Sequence, residues 1–527
     1  MKWSLLIAVA LFVCSCKKDT PEPVIREIPK KVVFRKDMHG LQIDSTYILT
    51  KNNLLLLDLY KRFDYKAIWA DSIRRKTVVE VFFKAHEDGL PAKDYEPDSI
   101  LAFQKKIGKV SDKELMDYDL RISLAVQRFM LHLSQGKLNP KNLYWNWDLR
   151  RYRADINGLI ETGLRADTLA GSIASVAPKT PFYHGLKKAL AVIDKMPDDR
   201  NLPKVKIAKS IVRGDTTRAI SAVKKRLIYW KDLTSSDSLS NYYDKRTFEA
   251  VKNFQARHGL AADGVIGRAT AAALNTGKKQ RREQIVVNLE RWRWFPRYFG
   301  KEYVIINIPD YTLSIVKDRD TVETRKIIVG KHDRRTPVLS STFSNITFNP
   351  TWTVPPTILR EDLIPSATAD RNYFVERDIS IIDWKGNTVD PQNWTPDKAN
   401  RYRYVQSAGD HNALGNVKFN FPNHYTVYLH DTNHKSYFQQ NFRSLSSGCV
   451  RVENPLEMAV YMLDDEKRWP IDSVWKVVET KETKIINLRK KIRIHQLYWT
   501  AWMDGETIHF RDDIYKLDSG LYDALNK

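Results

Sequence analysis

The hydrophobic period of the chain changes near Tyr303, and the change divides what its two halves can fold into. Upstream, apolar residues recur at three- and four-residue steps, as in Ile122, Val126, Phe129, Met130 and Leu133, and Gly136 then Pro140 stop the run. That spacing describes one face of a helix. Downstream, Tyr303 to Ile308 and Thr312 to Val316 follow a period of two, Asp318-Arg319-Asp320 makes a turn, and Arg325 to Gly330 reads as a third strand. At ~100–200 residues per domain, 527 residues exceed one core. The prediction is a multidomain α+β protein, helical first and mainly β afterwards.

The first sixteen residues obey a different logic. Lys2 precedes an apolar run from Trp3 to Cys14, too short for a membrane span and right for the apolar part of a signal peptide. Its end, Val13-Cys14-Ser15-Cys16, resembles a lipoprotein signal, so residues 1–16 are expected to be a lipoprotein signal peptide with Cys16 as the lipidation site. Residues 17–37, rich in Lys, Pro and Glu, read as a tether. With Cys14 removed and Cys16 acylated, Cys449 is the remaining thiol and has no disulfide partner. In an exported protein that favours a reactive role.

Lys and Arg number 86 against 63 Asp and Glu, a formal net charge of +23. The basic residues are scattered rather than gathered on one helix, which argues against nucleic acid and for anionic wall polymers and membrane head groups.

Residues 38–205 read as a helical scaffold without a chemical cluster; His86 and His132 sit within helical stretches as packing residues. Residues 206–276 form a second unit, with helices over Ala219 to Tyr229 and Lys245 to His258 joined by the loop Thr234 to Asn241. The run Phe254-Gln255 through Gly259-Leu260, then Asp263-Gly264-Val265-Ile266-Gly267, leads to a third helix holding Thr270 and Leu274. This resembles the three-helix peptidoglycan-binding domain, with Gly259 as a left-handed cap and Gly264 and Gly267 in tight turns. Residues 277–300 read as a linker and 301–480 as the β domain. An Asp-, Asn-, Pro- and Gly-rich stretch, about 367–416, looks like an inserted cap, and 481–527 a C-terminal extension.

In the β domain a strand, Tyr425 to Leu429, ends at His430, and Cys449 follows nineteen positions later within Ser444 to Val452. A hairpin-like return would bring the two together. A thiol is nucleophilic as thiolate, and an adjacent imidazole can accept its proton. Gly448 lets an acyl carbonyl approach, so the N–H groups of Gly448 and Cys449 are expected to form an oxyanion hole. His430 and His434 are four apart, but at a strand end and in a loop this spacing does not put both on one face, which disfavours a metal pair.

His430-Asp431-Thr432 together with Ser446-Ser447-Gly448-Cys449-Val450-Arg451 closely resembles the L,D-transpeptidase signature, commonly His-Gly-Thr followed by Ser-His-Gly-Cys-Ile/Val-Arg. Asp431 in place of Gly and Ser447 in place of His resemble the long multidomain subgroup. So do Thr336-Pro337, Phe348 to Pro356 with Trp352, and the tail from Ile494-His495 to Tyr515. The resemblance implies that Cys449 is the nucleophile and His430 the base, with Arg451, Ser447, Asp431, Thr432 and Trp352 ordering the site or the substrate. It implies acyl transfer from the third residue of a tetrapeptide stem, release of D-alanine, and resolution of the thioester by an amine of a second stem. No metal or organic cofactor is implied. The expected partners are peptidoglycan stem peptides and glycan, with the membrane reached through the N-terminal lipid, at a periplasm-facing location in the cell envelope. Water as the acceptor would make the same dyad an L,D-carboxypeptidase, and loss of catalysis would leave a wall tether.

Overall fold

A computed structural model describes residues 38, 40–235, 237–465 and 467–527. The expected signal segment, Cys16 and the tether lie outside the described residues. Within the scaffold, the helix Asp112–Gln135 starts at a capping box between Ser111 and Glu114 and ends at Gly136, whose φ of 83° breaks the helical path. Its inner face buries Ile122, Val126, Phe129, Met130 and Leu133. Pro140, expected to help stop this helix, instead opens the next, Pro140–Leu143, where its missing N–H costs nothing.

The second unit contains the helices Arg218–Tyr229, Lys245–Arg257 and Arg268–Asn275. The Gln255 amide knits its turn together. Its Nε2 donates to Asp263, the Val265 carbonyl and Thr270, while its Oε1 accepts the Gly264 N–H. Gly264 has φ 72°, and a Cβ there would collide with the Phe248 ring.

The presumed linker is in fact a buried helix, Lys278–Trp294. Its Lys- and Arg-rich sequence reads as solvated, yet Arg282 pairs with Asp194, Arg291 with Asp518 and Arg293 with Glu290, at 2.6, 2.6 and 2.8 Å. Each guanidinium thus meets a carboxylate that offsets its buried charge, and Trp292 and Trp294 enter the core beside them.

The main sheet runs Trp147–Asp148, Val338–Thr342, Arg493–Leu497, Glu302–Asn307, Thr312–Lys317, Asp320–Gly330, Val450–Val452, Leu429–His430, Val417–Asn420, Asn345–Phe348, Lys484–Asn487; Ser444–Ser446 pairs with Asp320–Gly330 off this path. The C-terminal segment is therefore integral: Arg493–Leu497 lies parallel to Glu302–Asn307 and antiparallel to Val338–Thr342. The insert starts earlier than residue 367. Trp352–Thr353 joins Arg403–Gln406, Ile379–Ile382 and Thr388–Val389 in a separate sheet around Leu363, Phe374, Trp394 and Tyr404. A hydrogen bond from Asn349 N–H to the Asn416 carbonyl, 2.9 Å, closes its base.

Candidate active site

The strand carrying His430 is only two residues long, Leu429–His430. Upstream, where a longer strand was expected, the Asn423 carboxamide accepts the N–H groups of Tyr425 and Val427 and holds a loop in which Thr426 has φ 54°. The short strand lies antiparallel to Val417–Asn420, with His430 opposite Lys418, and parallel to Val450–Val452, with His430 opposite Arg451. Parallel pairing excludes the expected hairpin; residues 431–449 make a crossover instead. The register still sets His430 beside the turn that bears Cys449, and Val450 N–H donates to the Tyr428 carbonyl at 3.2 Å.

Ser446 closes that turn. Its hydroxyl donates to the Cys449 carbonyl at 2.6 Å and accepts the Gly448 N–H at 3.2 Å. The Gly448 N–H is thus occupied, at odds with the expectation that it is one of two free oxyanion donors. Gly448 itself has φ 116°, a conformation that disfavours any side chain.

Around the half-buried sulfur of Cys449, the Tyr428 hydroxyl donates to it, and Lys418 and Arg451 supply positive charge. The Lys418 ammonium sits 4.0 Å from the Tyr428 ring centroid, and the Trp352 indole N–H reaches the Tyr428 hydroxyl. Burial pushes the thiol above its usual range, against the pull of Tyr428, Lys418 and Arg451. Burial, then the nearby Arg451 charge, pushes His430 down to about 3. At neutral pH both groups are therefore uncharged.

Three family matches fit this arrangement. Residues 301–479 match the family of L,D-transpeptidase catalytic domains, 216–274 match a family provisionally described as a peptidoglycan binding domain, and 55–190 match a scaffold domain. The part of the chain that carries Cys449 and His430 is thus similar to L,D-transpeptidase catalytic domains. Over 289 residues the chain is 36% identical to a Haemophilus influenzae protein provisionally named an L,D-transpeptidase, covering 53% of this chain and 58% of the relative, so it spans a little over half that relative's length. Over 72 residues it is 35% identical to an N-acetylmuramoyl-L-alanine amidase of Bacillus licheniformis, covering 14% of this chain and 20% of the amidase. Among solved structures it is similar to the L,D-transpeptidase of Stackebrandtia nassauensis, at 14% identity, 58% of this chain, 99% of that one and a TM-score of 0.21.

In the domain at residues 301–479 the other signature residues build the walls. The Asp431 carboxylate does not orient the imidazole. It accepts the Asn416 N–H at 2.9 Å and pairs with Lys435, while His430 Nδ1 has no hydrogen-bond partner among the described residues. Thr432 accepts Arg451 at 3.5 Å and the His434 N–H at 3.2 Å. Exposed Ser447 accepts Arg334 at 2.9 Å, and Arg334 also grips Glu361 and Asp362 of the cap. Tyr428 and Lys418 were not singled out from sequence. Tyr428 carries a signal, since it lies two positions before His430; Lys418 enters only through strand pairing.

Proposed function

We propose that the protein cross-links peptidoglycan stem peptides by acyl transfer through a Cys449 thioester, with His430 as the proton acceptor. The observation that carries this reading is the pairing of His430 beside the Cys449 turn, with the Tyr428 hydroxyl and two cations around the sulfur. In the first half-reaction the sulfur attacks the acyl carbonyl of the third stem residue and His430 takes the thiol proton as the S–C bond forms. The oxyanion faces the Cys449 N–H. Because His430 is a weak base in this environment, its imidazolium is short-lived and gives its proton to the departing D-alanine amine as the C–N bond breaks. An amine of a second stem then attacks the thioester and loses a proton to His430, which returns it to the Cys449 sulfur as the C–S bond breaks. Lys418 and Arg451 offset the negative charge that passes over the sulfur.

Wall recognition by residues 216–274 and lipid anchoring at Cys16 belong to the same proposal. Incubation of the full chain with tetrapeptide muropeptides tests the reaction: cross-linked dimer with free D-alanine supports transpeptidation, tripeptide monomer alone would replace it with hydrolysis, and unchanged substrate would refute both. Cys16→Ala is expected to release the protein from membranes after high-salt washing, the salt being needed because +23 alone can hold it there. Retention equal to wild type would contradict the anchor.

A further inference from the structure

Beneath the catalytic turn lies a buried hydrogen-bond chain that reaches into the C-terminal segment. The Thr336 hydroxyl donates to the Gly448 carbonyl at 2.9 Å and accepts the Gly330 N–H at 2.9 Å. The Thr336 N–H in turn donates to the Tyr515 hydroxyl at 3.0 Å, and that hydroxyl donates to the Gly330 carbonyl at 2.9 Å. Thr336 is fully buried and Tyr515 nearly so, with Tyr515 stacked on Tyr498 at 5.4 Å. Gly330 makes the close approach possible, because a Cβ there would strike the Arg334 carbonyl.

The Gly448 carbonyl and the Cys449 N–H belong to one peptide unit. That unit is planar, and in the trans form the C=O and N–H point in opposite directions. Anchoring the carbonyl therefore fixes where the N–H points. A rotated plane would turn the carbonyl, rather than the N–H, toward the oxyanion. With the Gly448 N–H already taken by Ser446, the turn has no second donor to compensate. An accepted hydrogen bond at the carbonyl also strengthens the N–H as a donor.

We propose that Thr336, held by Tyr515, is a positioning residue that locks the Gly448–Cys449 peptide plane and aims the Cys449 N–H at the developing oxyanion. The inference rests on the acyl-transfer reading above, and its test separates the two. Two rates are measured on the full chain by intact-protein mass spectrometry: acylation by a carbapenem, which passes through an oxyanion, and alkylation by iodoacetamide, which needs only the thiolate. Thr336→Val removes the hydroxyl at nearly constant shape and is expected to slow acylation at least ~10-fold, toward the ~10²–10³ of a lost oxyanion donor, with alkylation within about twofold of wild type. Thr336→Ser restores the hydroxyl and is expected to recover acylation to within about threefold of wild type. Thermal unfolding checks that each variant folds; should Thr336→Val fail, Tyr515→Phe carries the test, with the same selective loss of acylation. Equal losses in both rates, undiminished acylation, or no rescue by serine would overturn the positioning role. Wild-type protein that alkylates but does not acylate would overturn the acyl-transfer reading and this role with it.

Discussion

Burial penalises the thiolate of Cys449 and the imidazolium of His430 alike, and the Arg451 charge adds to the penalty on His430, so both are uncharged at neutral pH. The dyad is not a preformed ion pair, and this has a kinetic signature. Iodoacetamide alkylation of Cys449 is expected to climb with pH through the neutral range up to about pH 9, close to tenfold per unit, without a plateau. A plateau with a midpoint below neutrality would contradict it. Tyr428→Phe removes a hydrogen bond to the sulfur, so at fixed pH it should slow alkylation further. His430→Ala should leave alkylation little changed and suppress acylation, since hydroxide can ionise the thiol but cannot deliver a placed proton to the leaving amine. That His430 and the Cys449 turn lie together was legible in the sequence, because an unpaired cysteine after Ser-Ser-Gly is a poor core residue and the resemblance names the histidine beside it. Lys418 and Thr336 were not, because they reach the site across strand register and the turn network, which local pattern does not encode.

The turn and the cap each carry a testable constraint. Gly448→Ala would force a side chain onto φ 116°, where nearby atoms leave room but the backbone is strained. Chemical denaturation should register a loss of ~1–3 kcal/mol, and acylation should fall with it. An alanine variant as stable and as active as wild type would show that the turn tolerates another conformation. Arg334→Ala should speed amide exchange in the cap segment Leu359–Leu363, which Arg334 ties to Ser447, while the exchange of Val450–Val452 stays slow. The strands from Tyr303 to Gly330 and the first two helices of the second unit were readable from period, and the third helix from the glycine turn before it. The helix Lys278–Trp294 and the cap's own core were not, since buried arginines look solvated in sequence and an irregular apolar core shows no period.

That helix is the spine of the molecule, contacting the scaffold helices Asp112–Gln135 and Pro181–Lys195 and the C-terminal helix Asp518–Asn526, and reaching the second unit where Arg281 donates to the Ala273 carbonyl. Asp518→Ala would leave Arg291 buried without its partner, and equilibrium denaturation is expected to show a loss of ~3–5 kcal/mol. Acid should also destabilise the fold. His430 and His132 are held near about 3 and His495 near about 4. Their folded pKa values lie below the unfolded 6.5, so the unfolded chain binds more protons, and the stability they contribute above that value is lost as pH falls. Asp119 and Asp518, raised to about 6 by burial, act oppositely between 3.8 and about 6 and blunt the loss there. The steepest decline is therefore expected just around pH 6–6.5, seen as a falling thermal midpoint that a His430→Gln variant flattens. The central claim is that the acyl group is carried on Cys449. Mass spectrometry of the protein quenched during turnover of a tetrapeptide muropeptide tests it most directly: the account predicts one acyl adduct on the peptide containing Cys449 and none in Cys449→Ser, whereas an adduct that persists in Cys449→Ser or maps to another residue would contradict it.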